Sequence, residues 1–393
     1  MARSRFIGGT LLIAGTSIGG GMLALPVATA GAGFTGSLIF LVLCWLIMTT
    51  GALLLLEASL RLPPGSNLVS IAKSTLGLPG QVLAWSACLL LLYTLLAAYI
   101  SGGSDVFAGI LGAFRLRPPE WLAAIVFTGV LSLVVYRGIR SVDFVNRGLM
   151  FGKLGVYLLL VLVIAPWIKP SALRGGDLHT ISASLMILIT SFGFASIVPS
   201  LRDYFQDDIP ALRKVIIIGS LIPLACYILW NAVIMGVIDR EGTGGLLELG
   251  NSGHAASGLT VALTGALHNP LISAFFSFFS SICMITAFLA VSLGLYDFLA
   301  DGLSLKKSGK EGKSVLLLTF APPLLVVLFN PGIYLNALNY AGICCVLLLL
   351  VLPVLMTWRG RRVTTAGVIV PGGNLTLALV AISAMVLLYI AIL

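Results

Sequence analysis

The stretch from Ala14 to Pro26 reads AGTSIGGGMLALP and lies in the first long apolar segment of the chain. Four glycines and two hydroxyl residues occupy the seven positions from Gly15 to Gly21. Each glycine costs a helix about 1 kcal/mol relative to alanine, and an unwound backbone is tolerated inside a bilayer only where it is buried in protein or lines a cavity. The stretch therefore predicts a helix that is interrupted within a membrane span. A small-residue surface for close helix packing is the alternative interpretation.

A second apolar segment carries the same pattern. The spacing Thr-Ser-x-Gly occurs at Thr16–Gly19 and again at Thr190–Gly193, and a proline follows each, at Pro26 and Pro199. The two segments are the first and the sixth of the chain, so each would begin a half of five helices. Because five is odd, the halves would cross the membrane in opposite orientations. Paired interruptions in inverted repeats point to the substrate site of a secondary transporter.

The composition supports membrane spans throughout the chain. Of 393 residues, 59% are hydrophobic and 9% are charged, whereas roughly a quarter of the residues in soluble domains are charged. The sequence predicts an all-α polytopic membrane protein, 1–393 being one transmembrane domain with repeat one at about 6–168, repeat two at about 178–358 and an extra helix at 373–392. Helices 1 and 6 would be broken. The eleven predicted transmembrane helices are 6–30, 34–60, 80–112, 120–136, 148–168, 178–201, 214–238, 270–298, 314–330, 333–358 and 373–392.

Lysine and arginine set the predicted orientation. If the N-terminus is cytoplasmic, 17 of the 23 basic residues fall in inside loops, five fall outside and Lys153 lies within a span, as the positive-inside rule requires. The C-terminus would then lie outside. Because the basic residues are spread over the inside loops, the net charge of +9 does not predict a nucleic-acid partner. The longest outside loop, 239–269, predicts a short helix over the outer mouth.

The groups at the two breaks suit an amino acid. Half-helix N-termini present free N–H groups and positive dipole ends to a carboxylate. Unwound carbonyls and the hydroxyls of Thr16, Ser17 and Ser191 can accept hydrogen bonds from an ammonium group. Neither broken segment contains a charged residue, which favours a substrate without net charge.

Other function classes lack their sequence signatures. An enzyme should show convergent histidine, aspartate or metal ligands within the spans, and a pore should show repeated polar or charged rings; the sequence has neither pattern. The six cysteines lie in apolar stretches without CxxC spacing, so they predict buried apolar side chains. We therefore expect no enzyme activity, no metal site and no cofactor.

Four motifs resemble one family: GTSIGGGMLALP from Gly15, YISG from Tyr99, TSFGF from Thr190 and GLYDFLAD from Gly294. They are similar to the signatures of the bacterial aromatic amino acid permeases, the tyrosine- and tryptophan-specific group of the APC superfamily, over nearly the whole chain. The resemblance implies a LeuT-like fold with a 5+5 inverted repeat and an eleventh helix. It also implies proton-driven uptake of an aromatic amino acid across the bacterial cytoplasmic (inner) membrane, with tyrosine as the expected substrate. Where family members often carry a histidine after the Gly-Phe of segment six, this chain has Ala195.

Lys153 is the candidate coupling residue. It lies about five residues inside segment five, where charges are rare and usually functional, although a lysine that reaches back to the interface is the structural alternative. Sodium-independent members of the wider superfamily place a lysine where sodium-coupled members bind a cation. The resemblance therefore predicts that the Lys153 ammonium joins the carbonyls near Gly15 or Ile18 to Thr286 in segment eight.

Aromatic residues complete the predicted site. Tyr93 and Tyr99 in segment three could stack on or bind an aromatic substrate, with core packing as the alternative, and at least one of Phe192 and Phe194 should face the pocket. The predicted coupled ion is a proton; a sodium-coupled or exchange-type carrier of different side-chain specificity is the alternative. The predicted substrate-binding residues are Gly15, Thr16, Ser17, Ile18, Gly19, Gly20, Gly21, Tyr93, Tyr99, Ser191, Phe192, Gly193 and Phe194.

Overall fold

The described part of the protein is helical. The structure is a computed structural model that describes residues 2–116, 118–206, 208–363 and 370–392; Arg117, which was counted as an outside basic residue, lies beyond this part. The α-helices are α1 Ala2–Ser17, α2 Gly20–Ala28, α3 Gly33–Ser59, α4 Leu68–Ala113, α5 Glu120–Tyr136, α6 Ile139–Ile164, α7 Leu185–Ser191, α8 Val198–Phe205, α9 Ile209–Val237, α10 Leu246–Asn251, α11 Ala255–Leu267, α12 Pro270–Gly302, α13 Gly309–Phe329, α14 Tyr334–Val346, α15 Leu352–Val363 and α16 Gly373–Ile392.

The helices form a multi-pass membrane protein. Within the described residues, nine helices are long and apolar enough to cross a membrane, and the bent pair of Arg5–Ser17 and Gly20–Ala28 makes a tenth span. The remaining predicted span is α5, whose 17 residues extend about 26 Å at a rise of 1.5 Å per residue. This length falls short of the roughly 30 Å hydrocarbon core. The count of eleven thus remains a prediction.

Spans are numbered as predicted, with α5 as the fourth; the first and sixth both leave α-helical geometry. The chain bends by 52° between α1 and α2, at the glycine run that predicted a break. In the sixth span, α7 ends at Ser191 and a 3-10 helix, Gly193–Ile197, leads into α8. The second interruption is therefore a change of helix type.

Two other spans contain irregular turns that were not predicted. In α4, Gly77 has a φ of 75°, a left-handed conformation that separates a short helix at Leu68–Leu76 from the third span. In the tenth span, a π-helical turn at Leu347–Val351 joins α14 to α15. Such turns are frequent at functional sites.

The helices separate into two contacting groups. In one group, α1 and α3 pack against α9, and α2 packs against α7. In the other, α4 packs against α5, α12 and α13. The first group holds both broken spans, and α2 contacts α12 of the second group, so the first interruption lies where the two groups meet. The loop at 239–269, predicted to lie outside, forms α10 and α11, a helical segment as predicted, and α11 contacts α2, α4, α9 and α12.

Ion pairs lie at one end of the bundle. At the end predicted to face the cytoplasm, the buried carboxylate of Glu57 accepts hydrogen bonds from Arg361 Nε at 2.6 Å and Nη2 at 2.9 Å. Lys307 lies 2.8 Å from Asp297 and 3.4 Å from Asp301 at this end. These acidic residues therefore have the basic neighbours expected of interface carboxylates.

The Glu57–Arg361 pair should stabilise the bundle. Its side chains are 1% and 8% exposed, and removing one partner of a buried ion pair costs on the order of 3 kcal/mol. We expect Arg361→Met to lower the temperature at which half of the detergent-solubilised protein unfolds by several degrees. Arg359→Met, at an exposed position two residues away, is the matched control. Equal unfolding temperatures for the two variants would show that the pair contributes little.

Candidate functional site

The first break leaves backbone N–H groups without hydrogen-bond acceptors. Within the described residues, the N–H groups of Gly19, Gly20 and Gly21 have no hydrogen-bond acceptor in the protein, because the chain bends at Ile18 and Gly19 and α2 starts only at Gly20. These groups form the N-terminal end of a half-helix, where the helix dipole is positive. The break therefore presents an anion-binding end inside the bundle.

The carbonyls of the same break are occupied by side chains from three different helices. Tyr227 on α9 donates to Ser17 O at 2.7 Å. The buried ammonium of Lys153 on α6 donates to Ile18 O at 2.5 Å. The hydroxyl of Tyr334 on α14 donates to Gly20 O at 2.5 Å. The unwound backbone is thus held from three sides.

Tyr227 also connects the two broken spans. Its hydroxyl lies 2.8 Å from Ser191 O, the last residue of α7, as well as 2.7 Å from Ser17 O, the last residue of α1. A phenol has one hydroxyl hydrogen, so the two carbonyls share a single donor. The Tyr227 ring packs edge-on against Phe192 at 5.2 Å between centroids. The Tyr227 side chain therefore connects the two interruptions.

Tyr99, one of the predicted site residues, packs against the first break. A β-carbon built on Gly20 would lie 2.7 Å from Cε1 of the Tyr99 ring and 3.2 Å from Met284 Sδ. One built on Gly21 would lie 3.3 Å from Ser191 Oγ. Only glycines allow the aromatic ring and the sixth span to approach the first break this closely.

Lys153 contacts Ile18 O at the first break, as the family resemblance implied, but Thr286, its predicted second partner, is oriented otherwise. Thr286 Oγ1 donates to Ile282 O at 2.8 Å and Cys283 O at 3.2 Å within its own helix. The helix that carries Lys153, α6, packs against α12, which carries Cys283 and Thr286. The structure thus brings Lys153 to Ile18 and to α12, while the bridge to Thr286 and the coupling role remain predictions.

The remaining predicted residues divide between the break and its surroundings. Phe192 and Phe194 are fully buried beside the second interruption, and a β-carbon on Gly193 would lie 3.6 Å from Cys345 Sγ. Ser17 Oγ is buried without a hydrogen-bond partner, so it remains available to a ligand. Ser191 Oγ instead donates to Ile187 O within its helix.

In the described structure, three of the predicted site residues have contacts that lie away from the first break. Thr16 is exposed and its hydroxyl donates to Leu12 O. A β-carbon on Gly15 would meet Met150 of α6. Tyr93 donates to Leu318 O of α13 at 2.7 Å, so its hydroxyl points at the neighbouring span.

Sequence reasoning missed Tyr227 and Tyr334, two of the three donors to the first break. A phenol in an apolar span usually needs a buried hydrogen-bond partner, and that was the available signal. Their acceptors lie 210 and 314 residues away along the chain. No local pattern indicates which carbonyl each hydroxyl reaches.

The close contact at Gly20 yields a prediction about local packing. A methyl group there would overlap the Tyr99 ring, and overpacking costs about 1–3 kcal/mol. In the substrate site proposed below, displacement of the Tyr99 ring by the methyl group of Gly20→Ala should reduce the affinity of the purified protein for its substrate about tenfold, since about 1.4 kcal/mol corresponds to that factor. In Gly19→Ala the new methyl group would lie 3.5 Å from Ala287 Cβ, an ordinary contact. Comparable affinities for the two variants would contradict the expected overlap.

Comparisons with known proteins identify the family. Residues 2–391 match the model of the tryptophan/tyrosine permease family. The chain is 33% identical to tyrosine-specific transport system 1 of Haemophilus influenzae, over 96% of this chain and 94% of that protein. It is 32% identical to a tryptophan-specific transport protein of Pseudomonas aeruginosa, over 92% and 87%. It is also 29% identical to glutamine transporter 2 of Aliivibrio fischeri, over 98% of each chain. The chain belongs to the tryptophan/tyrosine permease family.

Proposed function

We propose that the protein is a secondary active transporter that takes up an aromatic amino acid together with a proton. Tyrosine is the proposed preferred substrate. The proposed location is the bacterial inner membrane, with the N-terminus in the cytoplasm and the C-terminus outside. The proposal includes a LeuT-like arrangement of eleven helices in which the substrate lies between the breaks of the first and sixth spans. Its main support is the pair of interrupted spans joined by Tyr227.

The open donors at the first break suit the carboxylate of the substrate. Three consecutive N–H groups, from Gly19 to Gly21, lack a partner within the described residues. The hydroxyl of Ser17 is buried and also unpartnered, so it can accept a hydrogen bond from the substrate ammonium. A net-neutral amino acid can thus be bound without a charged side chain facing each end of it.

Aromatic rings support the proposed side-chain preference. Tyr99 packs directly against Gly20, and Phe192 and Phe194 lie at the second interruption. Rings pack well edge-on or offset against another ring. The relatives named for tyrosine and tryptophan transport favour this reading, whereas the glutamine transporter shows that similar chains serve a different side chain.

Lys153 supports coupling to protons. Its ammonium occupies a carbonyl of the break, Ile18 O, and its residue is 1% exposed. A fixed positive charge there could perform the function that a bound cation performs in sodium-coupled carriers. Loss and gain of this proton would change how firmly α6 holds the first break. Substrate and proton together must then favour the state that reorients.

Alternating access would move the two contacting groups of helices relative to each other. The group of α1, α2, α3, α7 and α9 holds both breaks, and the group of α4, α5, α12 and α13 faces it. The substrate would lie between Gly20 and Tyr99, where the groups meet. Rocking of one group against the other would expose this position to each side in turn.

Uptake of labelled tyrosine into proteoliposomes tests the proposal. The vesicles should carry an imposed pH gradient, a sodium gradient or neither, with tryptophan, phenylalanine, leucine and glutamine as competitors. We expect accumulation driven by the pH gradient and inhibited by the aromatic amino acids. Accumulation driven by sodium alone would overturn the assigned coupling, and inhibition by leucine or glutamine without transport of tyrosine would overturn the assigned substrate.

A further inference from the structure

A helical strap covers the end of the bundle that is predicted to face outward. This outer strap consists of α10, α11 and the link between them, residues 246–267. It packs against the first break's half-helix α2 through both of its helices and against α4 through α11. Movement of the outer strap would therefore affect both groups of helices.

Two glycines join the outer strap to the start of the tenth span. Gly253 and Gly332 have φ values of 74° and 76°, and a β-carbon on Gly332 would lie 2.7 Å from Gly253 Cα. Their backbones thus touch with no side chain between them. Tyr334, whose hydroxyl binds Gly20 O, follows Gly332 by two residues. The strap is therefore connected to the first break through a short, tightly packed path.

His254, next to Gly253, lies between two carboxylates on other helices. Its Nδ1 is 3.0 Å from Asp105 Oδ1 on α4, and its Nε2 is 3.6 Å from Glu120 Oε1 at the start of α5. The Asp105 carboxylate also accepts hydrogen bonds from Ser257 N at 2.8 Å and Ser257 Oγ at 2.7 Å. Both ring nitrogens face acceptors, and only the protonated imidazole has two N–H donors.

Two cavities border this contact. The first, of about 300 Å³, is lined by Asp105, Glu120, His254 and Ser104 among others. The second, of about 420 Å³, is lined by Gly253, Gly332 and Tyr334 among others. Tyr334, which donates to Gly20 O of the first break, thus also borders the second cavity.

We propose that His254 is a positioning residue that holds the outer strap closed over the cavities when its imidazole is protonated. The charged ring binds α11 and its link to Asp105 on α4 and to Glu120 on α5. Loss of the proton removes one donor and leaves a lone pair facing a carboxylate, so the strap opens more readily. The proposal concerns entry from the outer side and does not depend on which substrate the protein carries.

The direction of the pH effect follows from the environment of His254. The hydrogen bond with Asp105 raises the pKa of the imidazole above its ordinary value of 6.5, and the charges of Asp105 and Glu120 act in the same direction, while partial burial opposes them. Among the described residues, Asp105 and Glu120 are the charged groups that face the ring; the turn before α14 contributes uncharged Pro331 and Gly332. The raised pKa belongs to the closed strap. Stabilisation of closure is therefore complete below the pKa of the free imidazole and is lost as the pH rises through the raised pKa.

Labelling of a cavity cysteine tests the proposal. Ser104 lines the first cavity and is 7% exposed, so Ser104→Cys introduces a reporter thiol of similar size. We would measure its reaction with a membrane-impermeant methanethiosulfonate at about pH 5.5 and about pH 8.5, on either side of the ordinary histidine pKa of about 6.5. The same measurement in Ser104→Cys combined with His254→Gln removes the titration of His254.

The labelling rates of Ser104→Cys with and without His254→Gln are compared at each pH. This comparison removes the pH dependence of the thiol itself, which is the same in both proteins. We expect the His254→Gln protein to be labelled several times faster at the lower pH and at a similar rate at the higher pH. His179→Gln, at another exposed histidine, should reproduce the parent profile, and the protein without the reporter gives the background from the native cysteines. Parallel pH profiles with and without His254 would overturn the proposal. Labelling does not require transport, so this outcome is distinct from failure of the proposed uptake activity.

Discussion

Lys153→Ala is expected to abolish concentrative uptake, leaving accumulation at the level of vesicles without protein. The substitution removes the ammonium that donates to Ile18 O and leaves a buried carbonyl at the break without that donor. A lost hydrogen bond to a charged group costs roughly 1.5–3 kcal/mol, and the positive charge proposed to replace a bound cation is lost with it. The measurement is pH-driven uptake of labelled tyrosine into proteoliposomes.

Two further variants separate coupling from simple packing at position 153. Lys169→Ala removes an exposed lysine and should leave uptake unchanged. Lys153→Arg keeps a positive donor but cannot release its proton, so we expect it to bind substrate without accumulating it. If Lys153→Ala still accumulated tyrosine along a pH gradient, Lys153 would not be the coupling residue. Full activity of Lys153→Arg would show that proton release from this side chain is not needed.

Tyr227→Phe is expected to slow uptake by about tenfold or more. The change deletes one oxygen and keeps the ring against Phe192, but Ser17 O and Ser191 O both lose their shared donor. Leaving a buried acceptor without a partner costs about 1–3 kcal/mol. Because these carbonyls end the two half-helices α1 and α7, the loss should loosen the connection between the interrupted spans. Initial rates of tyrosine uptake measure the effect.

Tyr157→Phe provides the matched control for this prediction. Its hydroxyl, on α6, donates to Cys226 O of α9 at 2.9 Å. Tyr157 thus connects two helices as Tyr227 does, but it does not reach either break. We expect Tyr157→Phe to retain most of the uptake rate while Tyr227→Phe does not. A similar loss in both variants would mean that any buried tyrosine hydroxyl that connects α9 to its neighbours is needed for folding, and that Tyr227 has no special role at the breaks.

Most of the fold was predictable because apolar spans are long and their ends carry charge. The run from Gly15 to Gly21 predicted the interruption between α1 and α2, and the structure has it there. The turn at Gly77 and the π-helical turn at Leu347–Val351 could not be predicted in this way. A single glycine in a helix is common, and an all-apolar run carries no signal for a change of helix type.

The candidate site was predictable only as far as local sequence determines contacts. Lys153 stood out because a charge in a span is rare, and the carbonyl it reaches was among those expected. Tyr93 and Tyr99 were grouped because both lie in segment three. Six residues at 100° each place them about 120° apart around a helix, and Tyr93 accordingly contacts α13. Tyr227 and Tyr334 depend on long-range packing, which the spacing of residues does not encode.

At the first break the backbone donors lack partners whereas the backbone acceptors have them, and this difference affects which ligands bind. The N–H groups of Gly19, Gly20 and Gly21 are open in the described structure, while Ser17 O, Ile18 O and Gly20 O already accept from side chains. On the proposed function, an acid group meets three donors that have no partner, whereas an amine that uses these carbonyls adds a second hydrogen bond to oxygens that already accept one. Tyramine, which lacks the carboxylate, therefore forfeits more binding free energy than 4-hydroxyphenylpropionate, which lacks only the amine.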